Sequence, residues 1–141
     1  MAFKKGFKRK NGTKYNNKRV EVDGVVYDSK REYERWLLLK DAEEQGIITD
    51  LQRQVKFELI PAVIEEYVEH LKTKDKIRTR VLQRPITYTA DACYYKDGEY
   101  VVEDLKVSPK VKTDKYILKN KMMFALKGIR IKEVYKATDP I

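Results

Sequence analysis

Asp91, Asp104 and Lys106 flank an Asp97-Gly98 dipeptide in a stretch otherwise rich in β-branched and aromatic residues. If that dipeptide forms the two-residue hairpin loop it favours, Lys96 pairs with Glu99 and Asp91 comes to lie opposite Asp104. Facing residues of an antiparallel pair project to one side with Cβ atoms roughly 4.5 to 5.5 Å apart, and Lys106, two residues on, shares that side. Strands disfavour aspartate, and like charges set opposite one another are destabilising, so the pairing calls for a cation between the carboxylates. Mg²⁺ or Mn²⁺ fits, because such ions take oxygen ligands, keep several waters and need only one or two carboxylates beside a phosphate. The chemistry this arrangement suits is metal-dependent phosphodiester hydrolysis, with Lys106 beside the attacking water.

Each residue also has a plainer reading. Asp91 would be unremarkable on an exposed edge strand, but Tyr88, Ala90, Ala92, Cys93 and Tyr94 around it argue for a covered sheet, where an unpaired carboxylate is costly. Glu103 falls on the opposite face from Asp104 unless a bulge in its strand exchanges the two, and hairpin parity favours Asp104. Glu32 either completes a capping box with Ser29 or turns from a helix's first turn toward the carboxylates. His70, alone in a poorly patterned segment, reads as a surface residue rather than a base, and Ser108 has no histidine partner to make it a nucleophile.

The elements that must position these groups follow from local signals. Residues 20–27 alternate around Asp23-Gly24 and predict a small hairpin. Ser29 through Glu32 start a helix that runs to about Gln45 and stops at Gly46. Residues 47–60 read as extended and end at Pro61, and residues 61–84 fit either a long hairpin or a short helix. The spans 85–95 and 99–107 are the clearest strands. A second helix begins at Thr113 or Asp114 and ends at Gly128, before a last strand over 129–135.

The whole chain of 141 residues carries 31 Lys+Arg against 22 Asp+Glu, a net charge of +9, which favours a polyanionic partner such as DNA. Residues 1–19 are basic, contain no acidic residue and read as a flexible arm in which Lys4, Lys5, Lys8, Arg9 and Lys10 contact DNA. Lys112, Lys115, Lys119 and Lys121 of the second helix are the other expected DNA contacts. Residues 20–141 then form a single domain. One cysteine allows no internal disulfide, and no apolar run is long enough to span a membrane, so a soluble, cytoplasmic protein is expected. The competing class is a non-catalytic nucleic-acid-binding protein with a degenerate site.

Asp91 followed by Asp104-Leu105-Lys106 resembles the motif of the PD-(D/E)XK nuclease superfamily, with Ala90 where the motif's proline would stand. The segments 27–32, 48–59, 86–91 and 102–106 are similar to small phage-encoded endonucleases of that superfamily, some of them Holliday-junction-resolvase-like. The resemblance spans most of residues 20–136. It implies an α/β fold with a restriction-endonuclease-like core: a central mixed β-sheet flanked by helices, in the order α-β-β-β-α-β. It also implies Glu32 as a third metal ligand with Asp91 and Asp104, Gln54 rather than Gln52 near the site, and DNA as substrate. Action on branched DNA during recombination would suit a homodimer, for which no heptad or apolar stripe marks an interface.

Overall fold

The computed structural model describes residues 18–141; Lys4, Lys5, Lys8, Arg9 and Lys10 of the expected basic arm lie outside the described residues. Asp23 and Gly24 both take positive φ, 50° and 76°, the backbone twist that suits a two-residue hairpin, and join β1 (Val20–Val22) to β2 (Val25–Tyr27). Ser29 then caps α1 (Lys30–Glu44): its extended backbone stops the preceding chain, and its hydroxyl accepts the Glu32 N–H at 3.2 Å. The reciprocal half of the expected capping box is displaced by one residue, since the Glu32 carboxylate accepts from the Asp28 N–H. Glu32, Arg35, Leu39 and Ala42, spaced three and four residues apart, are the buried stripe of this helix. Two of the four are charged, which already separates this face from an ordinary core contact.

The chain continues through β3 (Thr49–Ile60), β4 (Val63–His70), β5 (Asp75–Gln83), β6 (Ile86–Lys96), β7 (Glu99–Leu105), α2 (Asp114–Lys127) and β8 (Lys132–Val134). Of the two readings of residues 61–84, the hairpin is the one the fold adopts: β4 and β5 pair only with each other. Thr113 caps α2, and Gly128 ends it in the left-handed conformation at φ 68°. The last strand is shorter than expected because Ile129 and Ile131 pack against the core below α2 before pairing begins at Lys132.

The central sheet has the order β3-β6-β7-β8, antiparallel except for the parallel β7–β8 pair that α2 connects. It is a mixed sheet with a helix against each face. Cys93 and Val102 point toward the cluster that includes Tyr116 and Met123 of α2, while their neighbours Tyr94 and Val101 point toward Leu39 and Ala42 of α1. In chain order the elements of this layered unit are α1, β3, β6, β7, α2, β8.

Besides the register shifts near the two ends of β3, between Thr49 and Gln52 and between Glu58 and Ile60, alternation breaks at facing positions in the middle of β3 and β6. On β6, Tyr88 and Ala90 belong to the α2 side, but Ala92 and Tyr94, still even-numbered, belong to the α1 side. On β3, Leu51 lies on the α1 side and Val55, Phe57 and Leu59 on the α2 side. The turnover points are Asp91 and Gln54. They are skipped in a ladder that pairs Arg53 with Ala92 and Val55 with Ala90, and Gln54 takes φ 54°.

Candidate active site

The Asp97-Gly98 turn (φ 50° and 78°) sets Lys96 against Glu99, and the ladder runs in the expected register back to Ala92 against Glu103. There it stops, one pair short of Asp91 and Asp104. The turnover at Asp91 ends the β6–β7 ladder there, and the Leu105 N–H is taken up by the Asp91 carboxylate at 2.7 Å, while the far edge of β7 pairs with β8. Asp91 therefore sits at the split between two strands rather than in a regular ladder. From there its carboxylate is influenced by Asp104 on one side of the sheet and Glu32 on the other.

Burial, and next the negative charge of Asp104, pushes the Asp91 carboxyl up to about 8. The direction is toward the protonated form, because burial and the neighbouring carboxylate both penalise the charge. Asp104 accepts a hydrogen bond from the Tyr88 hydroxyl at 2.9 Å and an ion pair from Lys106 Nζ at 3.0 Å, both through Oδ2. Lys106 Nζ lies 3.5 Å from the centre of the Tyr116 ring, so cation–π attraction adds to the ion pair that holds it. The Tyr116 hydroxyl below is buried with no hydrogen-bond partner among the described residues.

The distortion that sequence parity allowed for falls in β6 and not in β7. Asp104 and Glu103 therefore keep the sides expected of them. Glu103 is 2% exposed and belongs to the structural core, bound by the Arg35 guanidinium at 2.6 and 3.1 Å and by the Tyr94 hydroxyl at 2.6 Å.

Glu32 and Gln54 meet on the α1 side: Gln54 Nε2 donates to Glu32 Oε1 at 3.2 Å, and the Arg53 guanidinium approaches the same oxygen at 3.2 Å. Glu32 shares a small cavity with Asp91, Arg53 and Leu105. Among the described residues, however, no three His, Cys, Asp or Glu side chains converge closely enough to form a metal-binding group. The pair Asp91 and Asp104 is what fits a hard divalent cation, since both are oxygen donors and a cation would offset the burial and mutual repulsion that raise the Asp91 carboxyl.

A cleft of about 340 Å³ opens over Asp104 and Lys106 and is walled by Thr87, Thr89, Lys115 and Lys119. Two of the expected DNA contacts thus stand at its rim. Lys112 differs: it pairs with Glu133 at 2.6 Å, so its charge is already neutralised within the fold. Glu133 was not legible as a site neighbour, yet the parallel β7–β8 register sets it directly beside Asp104. Burial alone would raise its carboxyl, but hydrogen bonds from Lys112 and Tyr135 hold it below the usual range. Tyr88 and Tyr116 also escaped sequence reasoning, although Tyr88 lies three residues before Asp91. His70 is a surface residue, as expected, and its partner is Asp75 at 2.8 Å.

A family model described as "Protein of unknown function (DUF1064)" matches residues 12–138. The chain belongs to the DUF1064 family. No curated protein and no solved structure matches it. The DUF1064 match contains the whole of the site, from Glu32 to Glu133, and the β4–β5 hairpin as well. No helix of the described residues is long and apolar enough to cross a membrane.

Proposed function

We propose that this DUF1064 chain is a Mg²⁺- or Mn²⁺-dependent DNA endonuclease with a restriction-endonuclease-like core and a PD-(D/E)XK site formed by Asp91, Asp104 and Lys106. The observation that carries this reading is the pair of adjoining carboxylates, one raised by burial and by the charge of the other, with a lysine 3.0 Å from that other at the floor of a lysine-rimmed cleft. A buried pair of this kind destabilises the fold unless a ligand compensates it. Structural acids in this protein look different, as Glu103 with its full set of partners shows.

A divalent cation bound by the two carboxylates would supply charge stabilisation at the phosphoryl oxygen and a more acidic water. Lys106, seated on Tyr116 and Asp104, orients the attacking water and offsets the charge that develops on the phosphate. Tyr88 fixes the Asp104 oxygen that faces the cleft. Glu32, steadied by Gln54, completes the acidic surround of Asp91 from the α1 side. Lys115 and Lys119 hold the sugar-phosphate backbone against the repulsion of the carboxylates. Branched DNA is a candidate substrate, and a homodimer making paired cuts is the assembly that would suit it.

One observation favours the non-catalytic alternative: the Arg53 guanidinium occupies the Glu32 oxygen that a third metal ligand would need free. Cleavage of labelled linear and four-way DNA decides between the two. Hydrolysis is expected with Mg²⁺ or Mn²⁺, none with EDTA, and none in Asp104→Asn or Lys106→Ala even where DNA is still bound. Cutting that survives EDTA sinks the metal mechanism, and binding without cutting under all conditions establishes the alternative.

A further inference from the structure

The β4–β5 hairpin is an arm that the fold does not use for its own core. Its strands pack substantially only on each other, and every residue of β5 is exposed. Isolated two-stranded hairpins are marginal in water, so this one draws on its own cross-strand pairs. On one face Glu65 pairs with Arg80 and Glu69 with Arg78, and the Arg80 guanidinium lies 5.1 Å from the centre of the Tyr67 ring. The other face presents Ile64, Val68, Ile77 and Val81, each more than half exposed.

The charges at the ends of the arm are arranged differently. Lys72 and Lys74 in the tip turn, Lys76 just inside it and Arg84 at the root make no ion pair among the described residues, whereas Arg78 and Arg80 between them are neutralised by glutamates. The root is continuous with the candidate site. Ile60 and Ile86 close the β3–β6 ladder where the arm begins. Pro85, Ile86 and Thr87 line a groove against Lys115 and Lys119, and that groove shares Thr87 and both lysines with the cleft over Asp104 and Lys106. A polyanion lying in the cleft and following this groove meets the arm at its base.

We infer that the β4–β5 hairpin is a DNA-gripping arm, with Lys72, Lys74 and Lys76 at its tip and Arg84 at its root binding phosphates of the duplex that extends away from the cleft. The inference rests on the reading of that cleft as a DNA site. Nine residues of extended chain reach about 30 Å, roughly the length of eight to nine base pairs, and a two-stranded ribbon fits the major groove. A second copy of the chain is the other occupant the apolar face suggests. That face offers fewer than ten side chains, against the roughly 20 to 30 per partner of a stable interface, and it leaves the tip lysines without a role.

The test compares the full chain with the triple variant Lys72→Gln, Lys74→Gln, Lys76→Gln, using a labelled 30-base-pair duplex without divalent metal over a range of salt concentrations. Each phosphate contact contributes about 0.9 to the slope of log affinity against log salt, so the variant is expected to lose about 2 to 3 from that slope and bind more weakly at low salt. Equal melting temperatures exclude misfolding as the cause. An unchanged slope overturns the arm. Sedimentation of the parent and of Val68→Glu, Ile77→Glu tests the other occupant: a dimer that this change dissociates, with an unaltered salt slope in the lysine variant, makes the hairpin a contact between copies. The measurement needs no cleavage, so the arm and the nuclease reading fail separately. A chain that never cuts but loses slope keeps the arm, and a chain that cuts with an unchanged slope keeps only the nuclease.

Discussion

Asp91 and Glu103, the first half-buried and the second buried, show how carboxylates on neighbouring strands acquire opposite meanings from their partners. Asp91 adjoins another carboxylate, and burial together with that charge raises it from 3.8 to about 8. Its folded-state value lies above its unfolded value, so its contribution to stability is fully present below about pH 4 and is lost as the pH rises through about 8. Metal-free protein should therefore melt progressively lower between those limits. Asp91→Asn should flatten this decline and melt above the parent at pH 8 to 9. Glu103→Gln should instead melt below the parent, costing about 3 kcal/mol, because it leaves Arg35 buried without its counter-charge. Thermal melts of both variants across pH check the pair, and a Glu103 variant as stable as the parent would remove the distinction between structural and chemical acid.

At the scale of the element, the turnover of β3 and β6 places Gln54 and Asp91. A regular β3 would carry Arg53 and Val55 on one face, yet here they lie on opposite sides of the sheet, and Gln54 between them has φ 54°. A left-handed residue without glycine costs on the order of 1 to 3 kcal/mol, and a β-branched one tolerates the conformation least. Gln54→Val is accordingly expected to destabilise by about 2 kcal/mol or more, whereas Gln54→Gly should stay within about 1 kcal/mol because relief of strain offsets the lost bond to Glu32. Equal melting of the valine and glycine variants would mean that the strand does not turn over at this position. The same distortion explains why hairpin parity predicted the correct side for Asp104 but could not describe Asp91.

For the whole molecule, the division is between a layered unit and an appendage. The mixed sheet and its two helices hold both core clusters, whereas the β4–β5 hairpin adds no residue to either. Replacing residues 61–85 with an Asn-Gly turn between Ile60 and Ile86 should leave the far-UV circular dichroism sheet-rich and the melting temperature within a few degrees of the parent. A collapse in melting temperature would show that the arm supports the sheet. Of the net charge of +9, Lys4, Lys5, Lys8, Arg9, Lys10 and Lys14 supply six, so residues 18–141 carry only +3, and what that excess can bind depends on which lysines remain unpaired; Lys112 shows that not all do.

What the sequence determined by itself was local. Asp97-Gly98 and Asp23-Gly24 specify their turns through residues that tolerate positive φ, Ser29 and Thr113 cap helices through their own hydroxyls, and Gly46 and Gly128 end them. These features need only neighbours within a few residues, and together they carried the register that brings Asp104 to the side of Lys106. The tertiary structure alone decided that β6 turns over at Asp91 and that Glu103 is held by Arg35, 68 residues away. It alone set Tyr116 beneath Lys106 and Glu133 beside Asp104. Each of those depends on strands and helices distant in the chain coming into contact, and the pairing energy of such contacts leaves no periodic signature in the segments that make them.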